Sequence, residues 1–179
     1  HPAGALVGAC LDGTRMLIRA LRDRTEVAFA EMAESAGWYP DPALLKLRFE
    51  DGHDEQPLDV PASEIITRLR EALVERHLTA WRIEEDTVMS ARVLVDGAKR
   101  MLRVNPLARF RRRDVERLVV HEVDVHAVRA HNGQAQVLRC FQTGLPGSLA
   151  TEEGLAMVSE EHVGLDSPAV LARQADVVR

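Results

Sequence analysis

Leu118-Val119-Val120-His121-Glu122-Val123-Asp124-Val125-His126-Ala127-Val128 is the stretch on which the fold of this chain turns. Together with Val115 its apolar residues cover nearly the whole circumference of a helix drawn from about Asp114 to His131. A helix that is apolar all round is a buried one. Two histidines and a carboxylate carried into a core need partners, because unpaired polar groups there are costly. A metal ion satisfies all three at once. The many β-branched residues make the segment a mediocre helix former, so a strand is the rival reading. The long flanking pattern of Arg, Glu and Ala favours the helix.

His121 and His126 are five residues apart, one more than in His-Glu-x-x-His metal helices. At about 100° per residue, a step of four returns to within roughly 40° of the same face, whereas a step of five overshoots to about 140°. Two imidazoles so splayed cannot share an ion on a regular helix. The spacing therefore predicts a π-bulge or a break between Glu122 and His126, the π-turn being the device that absorbs one extra residue. A catalytic zinc keeps three protein ligands and one open position, and it lowers the pKa of bound water to about 7. Glu122 stands beside the first histidine, where a general base belongs. Thr151-Glu152-Glu153-Gly154-Leu155-Ala156 supplies the acids from which a third ligand could come. The same letters also read as an N-capped helix start, with Thr151 as cap and acids complementing the dipole.

The run 118–134, then Thr-Gly-Leu-Pro-Gly (143–147) and Glu-Glu-Gly-Leu-Ala (152–156), resembles the QEGLA-motif proteins. Bacterial members are labelled flavohemoglobin expression-modulating proteins, and eukaryotic relatives are the microtubule-associated tyrosine carboxypeptidases. The resemblance spans about Ser90 to Ala156. It implies a zincin-like metallopeptidase that binds Zn2+ through His121, His126 and Glu153 and uses Glu122 as base. The Glu-Gly-Leu-Ala order is also similar to the Glu-Gly-Phe-Ala of zinc aminopeptidases, which selects Glu153 over Glu152 as ligand. Two positions depart from the family pattern: Asp124 stands where a glycine is usual, and Glu152 where the family name has Gln. Family members usually run longer on the C-terminal side, so the chain is read as a single domain, residues 1–179, cut from a longer protein.

Composition sets the outer limits. With 179 residues, 46% hydrophobic and 28% charged, the chain has the make-up of a soluble globular protein with one substantial core. Aromatics are scarce at 4%, so that core must be built from Leu, Val, Ala and Ile. A net charge of −5 argues against nucleic-acid binding. No stretch approaches the roughly 18 apolar residues of a membrane span. The two cysteines, Cys10 and Cys140, form no spaced framework, which points to a reducing compartment and a cytoplasmic location.

Along the chain, 14–36 reads as helical with Gly37 closing it, 42–49 as a short helix and 50–60 as a polar loop. Ile65, Ile66, Leu69, Leu73 and Val74 form one stripe of a helix over 62–77. Residues 79–83, 88–95 and 99–104 read as strands, with Trp81 a core anchor and Asp96-Gly97 a hairpin signal. The expected fold is α+β: an N-terminal helical part (1–78), then over 79–179 a small antiparallel sheet with an edge hairpin (about 79–105) packed on the buried metal helix and further helices.

Peptidases of this build hold a substrate backbone along an edge strand, and 100–105 is placed for that role, with Asn105 as a hydrogen-bonding residue. The alternative for Asn105 is a strand terminator before Pro106. Arg129 suits a terminal carboxylate, since its planar fork pairs with one in two bonds, or a salt bridge to Glu152. Asn132 follows on the same helix. His162 is a candidate oxyanion donor. Phe110-Arg111-Arg112-Arg113, basic in an acidic chain, reads by default as a solvated helix entry, with an acidic partner or substrate tail as the alternative.

Two functions fit these residues. One is zinc-dependent hydrolysis of peptide bonds, carboxypeptidase-like, acting on peptide or protein C-termini. The other is a non-catalytic regulatory or scaffold domain with structural zinc or none, against which Glu122 speaks.

Overall fold

The computed structural model describes residues 2–39, 56–145 and 147–165. The expected helix 42–49, most of the polar loop before Gln56 and the C-terminal stretch from Asp166 lie outside the described residues. The chain forms two compact units, His1–His53 with Ser167–Arg179, and Asp54–Asp166.

In the first unit, helix α1 (Pro2–Asp23) and helix α2 (Glu26–Ser35) form a hairpin. Their contact is small: Ala20, Ala28 and Met32, with Met16 packed against them. The single helical region expected over 14–36 is broken at Arg24, whose φ of 52° is left-handed. Thr25 then restarts the helix, its hydroxyl accepting from the Ala28 N–H at 3.2 Å. Gly37 ends α2 at φ 68°, a conformation glycine adopts without strain.

The second unit holds β1 (Val60–Pro61), α3 (Ala62–Glu75), β2 (Arg82–Glu85), β3 (Val93–Asp96), β4 (Met101–Val104) and β5 (Arg109–Phe110). Next come α4 (Asp114–Leu118), a π-helix (Val119–Ala127), α5 (Val128–Gln134), α6 (Cys140–Thr143) and α7 (Ser148–His162). The unit boundary lies earlier than the 78/79 division read from the sequence. The reason is that α3 buries its stripe, Ile65, Ile66, Leu69 and Leu73, in the same core as the sheet and the π-helix.

Three strands form a mixed sheet in the order β2-β4-β3, so the expected all-antiparallel sheet is corrected. β4 runs antiparallel to β3, with Val93 opposite Val104 and Asp96 opposite Met101, and parallel to β2, with Arg82 opposite Met101. The burial of β4 explains its central place. Met101, Leu102 and Val104 are all buried, so both faces of that strand are covered. The stretch read as the substrate-binding edge is therefore the middle strand, and the edges are β2 and β3.

The hairpin signal at Asp96-Gly97 holds, with four residues, Gly97 to Arg100, between the strands. The Asp96 carboxylate accepts from the Lys99 N–H at 3.1 Å, and Arg100 takes a left-handed φ of 51°. The turn docks on α5, where Gln134 Nε2 donates to the Gly97 carbonyl at 2.6 Å. A β-carbon on Gly97 would stand 2.8 Å from the Ala130 Cβ, so only glycine permits this approach.

Trp81, Leu102, Val104, Phe110, Leu118 and Val123 join the α3 stripe in one core. From Arg117 to Ala130 no residue is exposed, in keeping with a buried helix. Asp124 has a structural use: Arg76, just past α3, meets its two carboxylate oxygens at 2.8 and 3.1 Å.

Candidate metal centre

The extra residue between the histidines is taken up by the π-helix over Val119–Ala127. At its end the Val128 N–H donates to the Val123 carbonyl, a step of five. Bonding of that period stacks residues five apart roughly one turn above each other. His121 and His126 thus face the same way, with ring centroids 4.9 Å apart and planes at 62°.

α7 lies across them and supplies the acids. Its residues Glu152, Glu153 and Glu160 each reach an imidazole. Glu153 sits between the two rings, its oxygens 3.4 Å from His121 Nε2 and 3.5 Å from His126 Nε2. Glu152 Oε1 lies 2.7 Å from His126 Nδ1, and Glu160 Oε1 lies 2.6 Å from His121 Nδ1. Both outer ring nitrogens therefore face carboxylates, and both inner ones face Glu153.

This arrangement fits a metal ion. One ligand atom from each of His121, His126 and Glu153 can be chosen so that all lie within 4.8 Å of one another. Neighbouring ligands of a tetrahedral zinc, at bond lengths near 2.1 Å, stand roughly 3.4 Å apart. Glu153 comes to about that distance from each Nε2, through Oε2 to His121 at 3.4 Å and through Oε1 to His126 at 3.5 Å. A carboxylate can only accept a hydrogen bond, so with a metal ion on Nε2 each ring would carry its hydrogen on Nδ1 and donate it to the carboxylate behind. Carboxylates behind metal-binding imidazoles commonly play this orienting part.

Electrostatics at the site are strong. Burial would lower the pKa of His121, but hydrogen bonds to Glu153 and Glu160 and the nearby Glu122 and Glu160 charges outweigh it and raise it to about 9. Burial pushes the Glu122 carboxyl up, although both histidines oppose the shift. The hydrogen bond to His121 holds Glu153 below the usual carboxylate range, against a smaller effect of burial.

A cavity of about 440 Å³ opens over the site. His121, Glu122, His126, Arg129, Glu152 and Glu153 form its polar wall, and Val93, Leu94, Val95 and Leu149 its apolar one. Edge strand β3 runs along this cavity. Arg129 lines it, with Nε 2.8 Å from Glu152 Oε2.

Other sequence expectations fall elsewhere. Asn105 closes a turn, its amide donating to the Met89 carbonyl at 3.2 Å and its oxygen accepting from the Leu107 N–H at 3.0 Å. It does not line the cavity, so the strand-terminator alternative describes it. Asn132 is exposed on α5 and does not line the cavity, and His162 is exposed in the last turn of α7, nine residues beyond Glu153 or about 13 Å along the axis. Thr151 caps nothing. α7 begins at Ser148, after Gly147 at φ 79°. The basic cluster is engaged within the fold: Arg112 pairs with Glu64, and Arg111 Nε donates to the Gln56 carbonyl at 3.1 Å.

Three residues escaped the sequence reading. Glu160, only 1% exposed, holds His121; Arg117 Nη1 lies 3.2 Å from Glu160; Asp114, fully buried, lies 3.4 Å from Arg117. One signal was available. Glu160 stands seven residues after Glu153, two turns on along the same helical face.

The fold and site define an α+β protein in which a π-wound His-Glu-x-x-x-His helix and an acidic helix build a cluster able to hold a metal ion. The model of the microtubule-associated tyrosine carboxypeptidase family matches residues 25–175, and the chain belongs to that family, one of carboxypeptidases. No curated protein and no solved structure gives a match.

Proposed function

We propose that this chain is a zinc-dependent peptidase that cleaves at the C-terminus of a peptide or protein. The observation that carries the reading is the convergence of His121, His126 and Glu153 on one point at the floor of a cavity that also holds Glu122. Zinc bound there would supply a Lewis acid and lower the pKa of a water molecule.

The chain's own groups do the rest. Glu122, with its carboxyl pushed up by burial, accepts the proton of the attacking water and passes it to the leaving amine. β3 offers its free edge to the substrate backbone, in place of the 100–105 stretch. Leu94 and Leu149 give the substrate side chain an apolar wall. Arg129 is the cation at the cavity available to a terminal carboxylate, held in place by Glu152. The family's name directs the first trial to a protein substrate, the C-terminal tyrosine of tubulin. Free Cys10 and Cys140 suit a cytoplasmic enzyme.

The test is Glu122→Gln, assayed on C-terminal peptides with zinc content measured alongside. Turnover should fall by about 100- to 10,000-fold while zinc stays bound. Undiminished turnover in that variant would remove Glu122 from the chemistry. A parent chain that holds no zinc would remove the peptidase reading itself and leave a scaffold.

A further inference from the structure

A line of charged side chains, buried from Asp114 inward, runs from the exposed Arg92 to the back of His121, and nothing in the reaction uses it. Arg92 lies with its guanidinium 5.2 Å from the centre of the Phe110 ring and its Nη1 3.2 Å from Asp114 Oδ2. Asp114 Oδ1 is 3.4 Å from Arg117 Nε, Arg117 Nη1 is 3.2 Å from Glu160 Oε1, and the same oxygen is 2.6 Å from His121 Nδ1. Asp114 and Glu160 are almost wholly buried, and the Arg117 side chain is 12% exposed. Charges are seldom buried without a return, because desolvation costs several kcal/mol per ion.

Stability alone is a poor return. Well-packed apolar side chains of similar volume often do as well or better in such places. What they cannot do is fix the angle of an imidazole. The π-helix gives its backbone an uncommon period, so the direction of the His121 ring is not set by helix geometry alone. His126 has Glu152 behind it, and Glu152 is tied to Arg129 at the cavity wall. His121 has Glu160, eight residues after Glu152 on the same helix α7, which meets its Nδ1 at 2.6 Å.

We propose that Glu160 is the positioning residue for His121, and that Arg117, itself fixed by Asp114, aims the Glu160 carboxylate so that His121 Nε2 faces Glu153. This rests on the zinc reading of the site. The network spans α4, the π-helix and α7, and so ties the first ligand to the helix that brings the third. Loss of an orienting carboxylate behind a metal-bound histidine weakens metal affinity by about 10- to 100-fold.

The experiment measures Zn2+ affinity of the full chain by competition with a chromophoric chelator. It compares the parent, Glu160→Gln, Arg117→Gln and Leu155→Ala, with the metal-free unfolding midpoint of each. Leu155 is exposed on α7 and controls for a change on that helix away from the network. Glu160→Gln should lose about 10-fold or more in affinity, with a shift in the visible spectrum when Co2+ replaces Zn2+. Arg117→Gln, which leaves the carboxylate against His121, should lose less, and Leu155→Ala nothing. Should Glu160→Gln fail to fold, Arg117→Gln decides: a fall in affinity supports the positioning role and unchanged affinity overturns it. Glu160→Gln that folds with parental affinity and an unaltered Co2+ spectrum overturns it too. A parent that binds no Zn2+ fails the zinc reading instead, and is told apart by that.

Discussion

Asp114 is fully buried, which by itself would raise its carboxyl pKa. The Arg111 backbone N–H at 3.1 Å, with Arg117 and Arg92 beside it, reverses this and leaves the group below its ordinary 3.8. A carboxylate depressed in the folded state contributes stability that is fully present above its unfolded pKa and is lost as pH falls through the folded value. Asp114→Asn should therefore cost about 3 kcal/mol at pH 7, the loss expected when one partner of a buried ion pair goes. The gap between parent and variant should narrow as pH drops below about 3.8. Urea unfolding at pH 7, 5 and 3 measures it. A gap that is the same at all three values would mean that the carboxylate charge is not what the arginines hold.

Much of the candidate metal cluster could be read from residue order at the scale of elements, and what could not has a physical reason. His121, Glu122 and His126 sit on one element, so a spacing argument reaches them, and the i+5 step by itself calls for a π-bulge or a break, of which the structure has the π-helix. Glu160 and Arg117 belong to different elements, and their meeting depends on how α7 lies across the π-helix, which no period encodes. The sheet shows the same limit. The strand signals at 99–104 and the Asp96-Gly97 turn were visible. The insertion of β4 between β2 and β3 is a matter of which strand covers which, and alternation of residue types does not report that order. The hairpin turn also exposes a contact that sets the cavity. Gly97 lines it and sits against Ala130, so Gly97→Ala drives two β-carbons to 2.8 Å and must lift the turn, with edge strand β3, off α5. Overpacking of this kind costs about 1–3 kcal/mol. Adding Ala130→Gly should recover most of the loss, and a double-mutant cycle read by thermal unfolding gives the coupling. Additive effects would show that the turn does not rest on Ala130.

At the scale of the molecule, every side chain of the proposed metal centre and of the main core comes from Asp54–Asp166. The α1–α2 hairpin has its own small contact, Ala20, Ala28 and Met32. A chain cut to Asp54–Asp166 should therefore fold and bind zinc as the full chain does. A ligand that binds only the native state stabilises it by about 2.7 kcal/mol when present at 100 times its dissociation constant. For a unit of this size that corresponds to roughly 10 °C in the unfolding midpoint. Calorimetry with zinc and with EDTA should give the same gain for the full chain and for the shortened one, and EDTA should abolish it in both. The gain depends on ligands that α7 and the π-helix bring together, so Glu153→Ala should remove most of it in either chain. A zinc-dependent shift in the full chain that vanishes from Asp54–Asp166 would show that residues outside this unit complete the site, and the centre would then have to be redrawn with a ligand from beyond it.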